Sequence, residues 1–199
     1  MDHGAAFTNL TNHFLVAMPG IKDELFASSV IYIYQHSPDG AMGLIVNKPA
    51  DVDVAKLFAR LQLPLARTEL AGQQVLRGGP VQPEHGFVLH DPMLAVGLPE
   101  GETAYIATVR VAGGLEMTRS RDVLEALSVG SGPRRVLIAL GCSVWGAGQL
   151  EAELERGSWL AAPADDKVIF DVPAIHRYAC ALALMGLQAW MISPEAGHA

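Results

Sequence analysis

The chain reads as an α+β protein of a single domain, and three observations carry that reading. Runs rich in β-branched and aromatic residues come in pairs joined by turn signals, which makes hairpins. Apolar stripes at helical spacing stand apart from those hairpins, which favours α+β over a parallel doubly wound sheet. No repeat, low-complexity segment or long linker divides the 199 residues. One domain is therefore expected over residues 1–199, with about 1–11 forming a flexible N-terminal extension.

The elements follow in order. Asn12 to Met18 reads as a strand that Pro19 and Gly20 terminate. Val30 to His36 is dense in Val, Ile and Tyr, which predicts a strand buried on both faces. Ser37-Pro38-Asp39-Gly40 is a turn, and Ala41 to Asn47 is the return strand of an antiparallel hairpin. Asp51 or Asp53 is placed to cap a helix whose Val54, Leu57, Phe58 and Leu61 share one face, with Pro64 just past its end. Gln74 to Leu76 and Phe87 to Leu89 read as short strands around the Gly78-Gly79-Pro80 loop.

A second hairpin is expected from Tyr105 to Val111 and Leu115 to Thr118, because Gly113-Gly114 supply the positive φ angles of a tight primed turn. Ser120 is expected to cap a helix starting at Arg121, with Asp122 complementing its dipole and Val123, Leu124 and Leu127 forming its apolar face. Arg135 to Leu140 predicts a buried strand, Gly141–Trp145 a turn, and Gln149 to Arg156 a helix that Gly157 closes. Val168 to Phe170 reads as a strand. The last helix is expected from about Pro173 to Met185, with Ile175, Tyr178, Ala179, Leu182 and Gly186 as its buried stripe.

Composition narrows the function classes. Half the residues are hydrophobic and 18% are charged, and the mean hydropathy is +0.25. The longest uncharged run, Tyr178 to Pro194, still falls short of the roughly 20 apolar residues of a spanning helix and is interrupted by Gly186, Gln188 and Ser193. A buried helix followed by a strand accounts for it, and no membrane partner is expected. Met1 to Leu10 carries Asp2 and no basic residue, unlike the opening of a secretory signal. With only Cys142 and Cys180, both in apolar surroundings, the chain is expected to be cytoplasmic with reduced thiols. A net charge of −7 opposes direct binding to nucleic acid, which needs clustered cations.

Four local patterns bear on chemistry. Leu140-Gly141-Cys142-Ser143-Val144-Trp145 resembles a nucleophile elbow between strand and helix, although Trp145 stands where that motif has glycine. His176 with Asp171, downstream in the chain at the start of a helix and with no supporting signature, are the candidates for a base and its orienting carboxylate. Cys142 is alternatively a reactive thiol or a small apolar residue at a strand end. His13, His36, His85, His90 and His176 lack metal-ligand spacing, so no metal or other cofactor is expected, and His36 and His90 read as caps of strand ends. Arg77-Gly78-Gly79-Pro80 is a weak anion cradle, and Arg119, Arg121, Arg134 and Arg135 read as a solvated surface.

Taken together, several blocks resemble the YqgE/AlgH family of bacterial proteins from Asn12 to the end. They include His13-Phe14-Leu15-Val16-Ala17-Met18-Pro19, Gly40-Ala41-Met42-Gly43-Leu44-Ile45-Val46-Asn47-Lys48-Pro49, Gly78-Gly79-Pro80-Val81, Gly86-Phe87-Val88-Leu89-His90 and Ser120-Arg121-Asp122-Val123-Leu124. Trp145, Gly148-Gln149-Leu150-Glu151, Trp159-Leu160, Pro163-Ala164-Asp165 and Gly197-His198-Ala199 complete the set. The resemblance implies a mostly antiparallel, bent sheet forming a partly closed, barrel-like core with helices outside. It implies no catalytic residue, and one branch is named as a regulator of alginate synthesis. The chain departs from the family pattern at Cys142, Ser143 and Tyr178.

The function expected is that of a non-enzymatic regulatory or ligand- or partner-binding protein, an indirect transcriptional regulator, acting as a monomer or homodimer. Its partner is a protein or small molecule. The candidate ligand site joins Asn47, Lys48, Gly78, Gly79, Pro80, Arg121 and Asp122, with Lys48 or Arg121 holding an anion that Asn47 and Asp122 orient. The alternative for these residues is structural: Asn47 ends a strand and Arg121 pairs with an acidic neighbour. The alternative function is an enzyme with its nucleophile, Cys142 or Ser143, at the Gly141–Trp145 turn.

Overall fold

Alternation of side chains along the strands decides this architecture. In β1 (His13–Ala17) Phe14 and Val16 join one apolar cluster while Leu15 and Ala17 join another; in β2 (Val30–Ser37) Val30, Tyr32 and Tyr34 oppose Ile31 and Ile33 in the same way. Both faces of these strands are covered, which is why the runs read as continuously apolar. The computed structural model describes residues 7–93 and 102–192.

The remaining elements are β3 (Gly40–Ile45), β4 (Pro49–Asp53), α1 (Val54–Arg60), β5 (Gln74–Arg77), β6 (Val81–His90), β7 (Thr108–Arg110), β8 (Glu116–Thr118), α2 (Asp122–Ser128), β9 (Val136–Gly146), α3 (Gln149–Glu155), β10 (Trp159–Pro163), α4 (Asp166–Phe170) and α5 (Arg177–Ala183). The strands form one sheet in the order β10-β1-β2-β3-β9-β6-β8-β7, with β4 and β5 attached beside β9. All pairings are antiparallel except β5 with β9. The sheet curls into a half-barrel, and the α+β class is as expected.

Three apolar clusters cover the sheet. The largest packs Phe14, Tyr32, Leu44, Phe87 and Leu137 against Val168, Ile169 and Leu182 from α4 and α5. On the other face, Val88, Val136 and Ile138 meet α1 and α2 through Phe58, Val123 and Leu127. At the far end of that face, Ile31, Ile33 and Trp145 meet Leu150 of α3 and Trp159 of β10.

Both expected hairpins form. Ser37 pairs with Gly40 across the first turn. At the second, Val111 N–H donates to Leu115 O at 2.8 Å, and Gly113 and Gly114 take φ values of 105° and 101°. Asp53 caps α1 by accepting from the Lys56 amide at 2.8 Å.

Several expectations are corrected. β9 does not end at Leu140: Gly141 bends the strand at φ 74°, and the chain continues as β-structure through Gly146. That bend lets the first half of β9 pair with β5 and β6 and the second half with β3. The expected turn at Gly141–Trp145 is therefore strand. Val168 to Phe170 is helix, not strand, because the Asp165 side chain accepts from the Lys167 amide and starts a helical turn. Ser120 does not cap α2; its hydroxyl donates to the Asp122 carboxylate and accepts from Ala107 N–H.

The last helix is shorter than expected. A 3₁₀ turn, Ala174–His176, precedes α5, and its tighter winding shifts the phase of the stripe. Arg177, Ala181 and Leu182 face inward, whereas Ile175 is 81% exposed. The strand expected within Tyr178 to Pro194 is absent among the described residues, where a 3₁₀ turn, Ala189–Met191, follows instead. Gly197-His198-Ala199 lies outside the described residues. Of the N-terminal segment, Leu10 is buried and its amide donates to Nδ1 of His36 at 2.9 Å.

Candidate functional site

Asn47 and Lys48 follow β3 and hold the loop before β2. Asn47 Oδ1 accepts from Val30 N–H at 2.7 Å, its Nδ2 donates to Ser28 O at 2.8 Å, and Lys48 Nζ donates to Ala27 O at 2.6 Å. Gly78 and Gly79 are buried against β9: Gly78 N–H donates to Leu140 O, and a Cβ on Gly78 would sit 2.2 Å from Gly141 O. Lys48 is brought next to this run, since Arg77 N–H donates to Lys48 O at 2.7 Å.

Arg121 and Asp122 are engaged elsewhere. Arg121 donates to Leu61 O and pairs with Glu125 at 3.1 Å, while Asp122 accepts from the amides of Ile106 and Val123. Among the described residues, no hydrogen bond or ion pair joins Arg121 or Asp122 to Asn47, Lys48 or the glycine run. Pro80 alone of the expected set lines a cleft with other candidate ligand-binding groups.

Cys142 and Ser143 are each 1% exposed within β9. Burial pushes the Cys142 thiol up, against a smaller opposing effect of the Arg119 charge. The Ser143 hydroxyl donates to Gly78 O at 3.3 Å. His36 is a structural bridge: Nδ1 accepts from the Leu10 amide, so Nε2 carries the proton and donates to Glu151 Oε1 at 2.9 Å. His90 lies fully buried between Asp91 O and Thr118 Oγ1, with its pKa lowered by desolvation.

The cleft lies where β9, α3 and β10 meet. Gly146 and Gly148 turn the chain from β9 into α3, and Gly157 turns it back into β10, so α3 folds over two strand ends. That return brings Trp145 and Trp159 together with ring centroids 6.3 Å apart at 82°, and Phe26 meets Trp159 edge-on at 6.0 Å. Glu153 projects from α3 between the indoles. Its Oε2 accepts from Trp145 Nε1 at 2.9 Å and from Trp159 Nε1 at 2.8 Å, and its Oε1 accepts from Gln149 Nε2 at 3.0 Å.

The space beside this clamp measures about 420 Å³, and Ile21, Pro80, Val144, Arg156 and Ser158 also line it. Partial burial works to raise the Glu153 pKa. The bonds from Trp159, Trp145 and Gln149 and the Arg156 charge outweigh it and hold the carboxyl below its usual range. The two indoles are nearly buried, and Val144 is 44% exposed. A carboxylate offers about four acceptor positions, and three are used here. The result is a rigid aromatic wall with one fixed charge and a cationic rim, a geometry for holding an apolar group.

Sequence reasoning missed Glu153 and Gln149 as site residues. Their i, i+4 spacing places them on one helix face, but nothing local shows that two tryptophans from flanking strands converge on that face.

Among the described residues, no group of three or more His, Cys, Asp or Glu side chains is arranged to hold a metal ion. No helix there is long and apolar enough to cross a membrane.

Residues 14–190 match the family model described as AlgH-like. A UPF0301 protein of Albidiferax ferrireducens is 54% identical over 194 residues and 98% of each chain. One of Polaromonas is 55% identical over 199 residues and the whole of each chain. The solution structure of the AlgH protein from Pseudomonas aeruginosa superposes with a TM-score of 0.74 at 40% identity over the whole of both chains. A crystal structure of a Corynebacterium diphtheriae protein, 23% identical, superposes with a TM-score of 0.66 over 88% of this chain and 87% of that one, a likeness of fold alone.

Proposed function

The chain belongs to the AlgH-like family, and from that premise we propose that it works as a cytoplasmic, non-enzymatic binding protein. Its regulatory effect, including any indirect effect on transcription, follows from occupancy of the cleft at Trp145 and Trp159. The ligand is an apolar or aromatic group, carried by a small molecule or by the side chain of a partner protein. One observation carries this reading: a single carboxylate, Glu153, fixes both indoles beside an open space of ligand size. The acidic net charge supports a partner other than nucleic acid.

The test uses N-phenyl-1-naphthylamine, a neutral aromatic fluorophore, with Trp190→Phe protein so that emission reports Trp145 and Trp159 alone. Saturable energy transfer to the probe is expected. Val144→Asp places a charge on the open wall and weakens binding by about tenfold or more. Absence of saturable transfer, or transfer that survives Val144→Asp unchanged, overturns the reading.

A further inference from the structure

Arg177 is a buried cation. It is 8% exposed, and among the described residues no carboxylate lies within ion-pair distance of it. Its Nε donates to Val172 O at 2.8 Å and its Nη1 donates to Val46 O. These bonds tie the chain after β3 to the turn before α5. A guanidinium carries five N–H donors, so among the described residues most of this fork meets no protein acceptor. Two carbonyls need donors, not a charge, and a neutral side chain would serve them without the cost of burying an ion.

Arg177 lines a cavity of about 390 Å³ that shares no lining residue with the tryptophan cleft. Leu76, Leu137 and Phe170 give it apolar walls. Three arginines line it, Arg134, Arg135 and Arg177, against one carboxylate, Asp171. The Arg135 charge is met by Asp91 and Asp166. Arg134 and Asp171 are both exposed, and with Asp91 and Asp166 counted the cluster is formally neutral, so what sets Arg177 apart is that among the described residues no carboxylate reaches it.

We infer that the cavity at Arg177 binds an organic oxyanion, a carboxylate or phosphate head held by the guanidinium with an apolar or planar body against Leu76, Leu137 and Phe170. The site stands independently of the tryptophan cleft. Desolvation lowers the Arg177 pKa to about 10, so the group remains charged at neutral pH and a bound anion restores what burial removed.

The experiment follows the Arg177 side-chain Nε–Hε resonance in ¹⁵N-labelled full-length protein during titration with phenyl phosphate, benzoate and neutral benzamide. A saturable shift with either anion and none with benzamide is expected, and the tighter of the two identifies the head group. Arg134→Gln is expected to weaken anion binding by about threefold or more and Asp171→Asn to tighten it, since both alter rim charge without touching the buried fork. A purely structural Arg177 predicts no such opposed pair. No saturable shift with either anion, an equal shift with benzamide, or affinities indifferent to both rim substitutions overturns the inference.

Discussion

Arg135 grips Asp91 with a forked contact, its Nε 3.0 and 3.1 Å from the two carboxylate oxygens and its Nη2 2.6 Å from Oδ1. Nη2 also reaches Asp166 at 3.1 Å, and the guanidinium sits 4.6 Å from the centre of the Phe170 ring. One side chain thus ties the end of β6 to α4 and forms a wall of the cavity at Arg177.

This pair makes stability depend on acid. Burial works to raise the Asp91 pKa, but hydrogen bonds and charge from Arg135 outweigh it and hold the carboxyl below its usual range. With the folded value depressed, the stabilisation is present above the unfolded value of about 3.9 and is lost as pH falls through the folded one. Asp91→Asn is expected to cost about 1–2 kcal/mol at neutral pH by urea denaturation, with the gap to the parent closing only in strong acid. A gap that stays constant from neutral to about pH 2 sinks this account.

Glu153 is expected to hold the aromatic cleft together. Glu153→Ala leaves two nearly buried indole N–H groups without their acceptor and costs about 1–3 kcal/mol at unchanged m-value. Glu153→Gln keeps one acceptor oxygen and recovers part of that loss. Equal stability of Glu153→Ala and parent protein would show that water replaces the carboxylate at no cost.

The glycine run should discriminate close approach from ordinary turn chemistry. Gly78→Ala drives a methyl to 2.2 Å from Gly141 O, so backbone must move and the protein loses about 3 kcal/mol or more or fails to fold. Gly72→Ala meets nothing within 4 Å and should change the thermal midpoint little. Comparable behaviour of the two variants contradicts the packing read at Gly78.

Cys142 should resist thiol reagents until the protein unfolds. It is 1% exposed and burial keeps its thiol protonated, whereas Cys180 is half-buried. Native protein is expected to label at Cys142 far more slowly than denatured protein, read by mass spectrometry of the peptide. Labelling of native Cys142 at the denatured rate would revive the enzyme with a nucleophile in β9.

Much of the fold was legible because its signals are local. Tyr32 and Ile33 lie on opposite faces of one strand and are both buried, so the run around them is apolar without interruption. Asp53 needs only its own backbone and Lys56 to cap α1. The failures share the opposite cause. Val168 to Phe170 is too short for periodicity to separate strand from helix, and the Asp165 cap decided it. The 3₁₀ turn before Arg177 moved the helical stripe off Ile175.

The amino-acid sequence by itself determined the family, the α+β class, both hairpins and the acidic net charge, since these rest on composition, turn chemistry and residue patterns along the chain. Only the tertiary structure decided which side chains converge at the two candidate sites. Trp145, Glu153 and Trp159 converge because α3 turns back across two strand ends. Arg177 became a buried charge without an ion pair among the described residues because the segment after β3 and the turn before α5 supplied carbonyls and no carboxylate. Burial and partner choice are properties of packing, and a linear pattern carries neither.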